Sequence, residues 1–262
     1  MANQINFGSV ILSLKNIVNG LIYEIYRSSE MARFARDRLN KEIYEHRNGQ
    51  KQDNNFALFA AAEEFFTHAA HISFSIWPTH TETPRNRKQN VRPEKLFSIT
   101  RGRCMQHLFV NEVCMFLNID DQDTYQKVQN SSSTPSLPDD FLYGPESICK
   151  LKDRALRNFF VHFDERFEKS VVNAPSHASR SSSQICLYDA RYSKPHELNI
   201  GFNEDFSQFI GLGEVFPIRE IFRATLSAGE RAKTLMDHQQ EIDLIIYSEA
   251  KVLHKKLSKI HS

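Results

Sequence analysis

From Val10 to Ile43 apolar residues return every three or four positions: Val10, Leu14, Ile17, Val18, Leu21, Ile22 and Ile25, then Phe34, Leu39 and Ile43. Only an α-helix gathers such positions onto one face. Residues 5–46 therefore predict one long helix, or two with a bend near Gly20 or the Ser28-Ser29 pair. Composition agrees, because the chain of 262 residues holds only 9 Gly and 9 Pro. Glycine stands at about half its usual ~7%, which argues for long helices and against a turn-rich all-β fold. A chain that is 40% hydrophobic and 25% charged is globular and not wholly disordered. We read residues 1–262 as a single domain able to bury about three quarters of its unfolded surface.

Further along, 47–50 end the first segment and Asp53-Asn54 can cap a second helix over about 55–77. That helix is rich in Ala and Phe (Phe56, Phe59, Phe65, Phe66, Phe74) and Pro78 closes it. A loop over about 79–93 precedes a third helix over about 94–118, with Leu96, Ile99, Leu108, Val113, Phe116 and Leu117 inward. Polar, Pro-broken loops over about 131–145 and 170–183 flank a helix over about 146–169. Residues 184–188 and 197–202 read as two strands of a hairpin, about 184–202, around Ser193-Lys194-Pro195. From 217 to 259 the pattern is helical throughout, and a break near Gly229 is expected because one helix would span about 60 Å. The expected fold is mainly α, with a small β-hairpin insertion before a long C-terminal helix.

Several function classes drop out. The 33 Lys plus Arg balance 32 Asp plus Glu, a formal net charge of +1, so bulk charge does not drive binding to nucleic acid or an anionic membrane. Cys104, Cys114, Cys149 and Cys186 have no C-x-x-C pairing, which suits reduced, mostly buried thiols and a cytoplasmic location. The start, Met1-Ala2-Asn3-Gln4-Ile5, lacks the basic opening of a secretory signal. The uncharged run 65–81 contains His68, His71 and His80 and reads as a buried helix, not a membrane span, so no membrane partner is expected. His68, His71 and Glu64 lack the spacing of a helical metal site, so a packed histidine pair is expected, with no metal and no cofactor. Gly211-Leu212-Gly213 has neither a third glycine nor an expected strand before it, and no G-x-S-x-G elbow occurs.

The informative window runs from Leu151 to Arg166. On one helix, Leu151, Ala155, Leu156, Phe159, Phe160 and Phe163 would share a face, and Asn158 would neighbour His162. Arg157 and His162 would stand about 140° apart, so they would converge at a kinked helix end or around a cleft formed with a second copy. Arg followed after four to six residues by His occurs four times, at Arg101/His107, Arg157/His162, Arg191/His196 and Arg231/His238. Of these four, only Arg157 is followed at once by Asn, Asp or His.

With Arg157, Asn158 and His162 in that order, the window resembles the HEPN family (higher eukaryote and prokaryote nucleotide-binding domains), helical bundles that include toxin and phage-defence ribonucleases. Its pattern is an Arg, a polar residue, and a His after four to six intervening residues. The resemblance covers about 20 of the 262 residues. It implies a HEPN-like helical bundle and metal-independent cleavage of RNA, leaving a 2′,3′-cyclic phosphate and a 5′-hydroxyl. Histidine titrates where such proton transfer needs it, and a guanidinium suits the charge on a pentavalent phosphate. Family members pair two domains, which implies a homodimer with the site at its interface. A bacterial toxin or antiviral role, held in check by an antitoxin or another regulatory protein, would follow.

Other residues have two readings. Arg154 would add a phosphate contact or pair with Asp153. Asp164 and Glu165 would raise the His162 pKa or stay solvated. Arg85, Arg87, Lys88, Arg92, Arg101 and Arg103 would guide an RNA backbone or belong to a solvated loop and helix start. The rival for the whole chain is a non-catalytic helical module binding nucleotide or protein.

Overall fold

A computed structural model describes residues 6–49, 56–78, 93–110, 145–153, 155–156, 200–203, 205–211 and 214–260. Helix α1 (Phe7–Arg47) runs for 41 residues and passes through Gly20 and Ser28-Ser29 without a break. Asn6 caps it, its side chain accepting the Gly8 amide at 2.8 Å, while His46 and Arg47 in the last turn suit the negative end of the helix dipole. Next come α2 (Phe56–Ile76), α3 (Pro93–Phe109) and the short α4 (Pro145–Ile148), which runs into a 3-10 turn, Cys149–Lys152. Strands β1 (Ile200–Phe202), β2 (Gln208–Gly211) and β3 (Glu214–Pro217) precede α5 (Ile218–Asp237) and α6 (Gln239–Ile260). The protein is mainly α, with a small antiparallel sheet of order β1-β2-β3 before its last two helices.

Helix α1 is the central element, packed by α2, α3, α5 and α6. It comes closest to α5 at small residues, Ser29 on one side and Thr225 and Gly229 on the other, all buried. A Cβ added at Gly229 would lie 2.1 Å from Ser29 Oγ and 2.5 Å from Ser29 Cβ, so the two backbones touch at that point. Ser29 remains satisfied because its hydroxyl donates to the Thr225 carbonyl at 2.9 Å. Gly229 is therefore not a helix break. The break falls at His238 (φ −118°, ψ 57°), whose amide turns back to the Leu235 carbonyl at 3.1 Å. Arg231 secures this elbow, donating to the Leu108 carbonyl at 2.9 Å and pairing with Glu241 at 2.6 Å.

Where α2 meets the sheet the packing uses large rings. The sheet register sets Phe202 opposite Phe209 and Phe209 opposite Phe216. The three lie on one face because cross-strand partners point the same way. Phe66 of α2 meets Phe209 and Phe216 at centroid distances of 5.3 and 5.8 Å, and Phe59 meets Phe202 at 5.6 Å. The β1–β2 turn places Phe206 at φ 57°, strained for a bulky residue. Its ring is held there between Phe202 and His46 and under the Arg47 guanidinium.

The strand expected at 197–202 is present as β1, but it pairs with β2 downstream. The expected partner at 184–188 lies outside the described residues. Gly211 does follow a strand, contrary to the expectation from sequence, yet the next element is β3 and not a helix. The segment is a tight hairpin and makes no phosphate loop.

Gly229→Ala should lower stability by about 1–3 kcal/mol, since overpacking there strikes a Cβ that rotation cannot remove. Adding Ser29→Gly should restore part of it. Gly20 is exposed, and a Cβ added there would meet nothing within 4 Å, so Gly20→Ala should instead gain about 0.5–1 kcal/mol. Urea unfolding of the four proteins checks all three signs.

Candidate functional site

The approach to the Arg-Asn-His window differs from the single helix expected over 146–169. Asp153 leaves the helical region (φ −57°, ψ 122°), and its carboxylate accepts the Ala155 amide at 2.8 Å. That is the bonding of an N-cap, so a second helical segment starts here and Ala155 and Leu156 are already helical. Leu151 and Leu156 are both buried, but from two elements and not from one face of one helix. The local signal was present in the sequence: Lys150 and Lys152 suit a helix end, and Asp153 then suits a start.

This approach is fastened to the core on two sides. The Ser73 hydroxyl of α2 donates to the Leu151 carbonyl, and Lys150 pairs with Glu220 of α5 at 3.2 Å. Arg154, Arg157, Asn158 and His162 lie outside the described residues, as do Arg85, Arg87, Lys88 and Arg92. Of the basic residues singled out, Arg101 and Arg103 are described, both on α3. Two positions apart, they are separated by about 200° around the helix. Arg103 is exposed, whereas Arg101 is half-buried and its buried Nε has no hydrogen-bond partner. Burial lowers the Arg101 pKa. The two do not form one basic stripe.

His68 and His71 pack edge to face, with centroids 6.2 Å apart and planes at 84°. Glu64, the neighbouring carboxylate, is taken by Arg38 of α1. Among the described residues, no three His, Cys, Asp or Glu side chains are grouped to hold a metal. His68 Nδ1 is buried without a partner. Burial lowers the His68 pKa, His71 and Arg27 lower it further, and Glu64 opposes them.

The thiols divide. Cys104 is buried, and burial beside Glu249 pushes its pKa up to about 12, which leaves no thiolate for nucleophilic work. Cys149 is exposed, on the 3-10 turn that buries Leu151. Cys114 and Cys186 lie outside the described residues. No helix among the described residues is long and apolar enough to cross a membrane.

One residue was not singled out from the sequence. Arg36 occupies the core seam of α1, in line with the buried Ser29, Ala32, Leu39 and Ile43. The signal was a charged residue at a position where the period calls for an apolar one. Its guanidinium lies 5.8 Å from the Phe222 ring centroid, its Nη1 donates to the Asn40 side chain, and its buried Nε has no partner.

Compared with protein-family models, with curated proteins and with solved structures, the chain gives no match in any of the three.

The His68 environment has a consequence for pH. An unfolded histidine takes up its proton near pH 6.5, whereas folded His68 takes it up lower. Between the two values the unfolded state binds more protons, so stability is fully present above about 6.5 and falls as pH drops through the folded value. Denaturant unfolding from pH 7.5 to 5 should show a smaller loss for His68→Gln than for the parent protein.

Proposed function

We propose that the chain is a metal-independent endoribonuclease of the HEPN type, acting as a homodimer in the cytoplasm as a bacterial toxin or antiviral effector under a regulatory partner. The observation that carries this reading is the Arg157-Asn158 pair with His162 after four intervening residues. It is supported by a mainly α chain and by an N-cap at Asp153 that starts a helical segment with Leu156 in the core. In this reading His162 takes the proton of a ribose 2′-hydroxyl or supplies one to the leaving 5′-oxygen. The 2′-oxygen bonds to phosphorus as the bond to the 5′-oxygen breaks. Arg157 neutralises the charge gained by the phosphoryl oxygens, and Asn158 positions the imidazole or a phosphate oxygen.

A second reading, a helical module that binds a protein without cutting RNA, is favoured by large apolar side chains on the outer faces of α1 and α6. Leu12 is 60% exposed, Leu244 73% and Tyr247 55%.

Purified protein incubated with total RNA in EDTA should leave fragments with 2′,3′-cyclic phosphate ends. His162→Ala and Arg157→Ala should each reduce the rate by about 10²-fold or more, with helical circular dichroism unchanged. Cleavage equal in the parent and both variants, or none in any, would sink the ribonuclease reading. Absence of cleavage with stable capture of a folded protein partner would favour the second.

A further inference from the structure

Arg36 is a half-buried cation that the fold does not compensate. Its one hydrogen bond goes to a neutral amide, Asn40, and its Nε is buried without an acceptor. The adjacent Asp37 raises its pKa only against a larger lowering by burial, and Asp37 points about 100° away around α1. A buried or half-buried charge without a counter-ion costs stability. The other described arginines on α1 are exposed: Arg27 pairs with Glu24, Arg33 with Glu30 and Arg38 with Glu64, and Arg47 donates to the Asp205 carbonyl.

More unpaired positive charge lies beside it. The contacts Ser29–Thr225 and Arg36–Phe222 show α1 and α5 running antiparallel. Asn40, one turn beyond Arg36, and Arg219, one turn before Phe222, therefore extend from the Arg36–Phe222 contact towards the same end. Arg219 is exposed in the first turn of α5, where a cation works against the helix dipole. Arg223 follows at i+4, a like-charge spacing that disfavours the helix. Among the described residues neither has an ion pair. Arg36 and Arg219 thus lie along one seam, each in an unfavourable setting, and an oxyanion between them would relieve both.

We propose that Arg36, Asn40 and Arg219 form a phosphate-binding site at the seam between α1 and the first half of α5. The planar guanidinium of Arg36, set 5.8 Å from the Phe222 ring centroid and steadied by Asn40, is preorganised for two parallel hydrogen bonds to phosphate oxygens. Asn40 accepts from Arg36 through Oδ1, which leaves its NH2 group to donate to the ligand. Arg219 supplies a second charge at the open edge. The site does not depend on the ribonuclease reading. Glu220, which receives Lys150 from the approach to the Arg-Asn-His window, is about 200° around α5 from Phe222.

Thermal unfolding of the full chain tests it, with inorganic phosphate compared against chloride at equal ionic strength. The second probe is a 2′-O-methyl oligouridylate, which lacks the hydroxyl that a ribonuclease attacks. At ten times Kd the bound probe should raise Tm by about 3 °C. Arg36→Met should unfold at a higher temperature than the parent in chloride, because it removes an uncompensated charge, and should lose the increment. Arg219→Ala should keep the parent Tm and lose part of it. An increment with inorganic phosphate assigns the site to free phosphate groups, and one with the oligonucleotide alone assigns it to a polynucleotide backbone. No increment with either probe, or an increment that survives Arg36→Met, overturns the proposal. If Arg36→Met does not fold, Arg36→Lys must weaken the probe at least tenfold, and unchanged affinity overturns it equally.

Discussion

The backbone contact between Ser29 and Gly229 sets the spacing of the whole helical assembly. Helix α1 is shared by α2, α3, α5 and α6, so the depth at which α5 seats against it fixes where the other helices can lie. A larger residue at either position would push the axes apart and open voids along both helices, which a close-packed interior tolerates poorly. The contact also carries a polar atom into the core without loss, because the Ser29 hydroxyl reaches the Thr225 carbonyl. Thr225 in turn bonds its own hydroxyl back to the Ile221 carbonyl at 2.6 Å. A seam of small and hydroxylated residues replaces the usual Leu-rich interface and gains its stability from proximity instead of side-chain volume.

The opposite solution operates where the sheet meets α2. Phe202, Phe209 and Phe216 form a cross-strand row against Phe59 and Phe66. Each buried ring contributes about 1.5–3 kcal/mol, enough to hold three strands of three or four residues that would not persist alone. Small residues bring α5 close to α1, and large ones fill the space under the short sheet. Phe222 joins the two regions, since it touches Phe65 of α2 at 6.1 Å and carries Arg36 on its ring.

What the sequence revealed follows from which forces are local. The helices at 7–47 and 56–76 and the start of the one at 93 were legible because amphipathic period, caps and Pro act within a few residues of themselves. Gly229 was misread as a break because its reason is steric and lies about 200 residues away at Ser29. The β2–β3 hairpin was missed because its short strands take their stability from α2, which no local pattern in 208–217 expresses. Asp153 was legible in principle as an N-cap, yet the apolar spacing of Leu151, Ala155 and Leu156 imitates a single helix. Of the candidate site, the sequence supplied Arg157, Asn158 and His162, and the structure supplies only the anchored approach to them. Arg36 went unnoticed because a charge at one core position looks like noise until its burial and lack of a counter-ion are visible.

Arg36 and Arg231 show why that lack carries meaning. Both are arginines at the packing surfaces of long helices, and both have part of the guanidinium out of water. Arg231 lies with its side chain 12% exposed, and it spends its donors on the Leu108 carbonyl and the Glu241 carboxylate, joining α3, α5 and α6. The fold thus has the means to neutralise a buried arginine where the arginine serves structure. At Arg36 it supplies an aromatic face and an amide, groups that orient a guanidinium without neutralising it. The same chain that pairs Arg27, Arg33 and Arg38 on the same helix leaves this one unpaired, with Arg219 further along the same seam. Orientation without neutralisation is the condition under which a guanidinium retains its affinity for an external anion, because no internal carboxylate has to be displaced first.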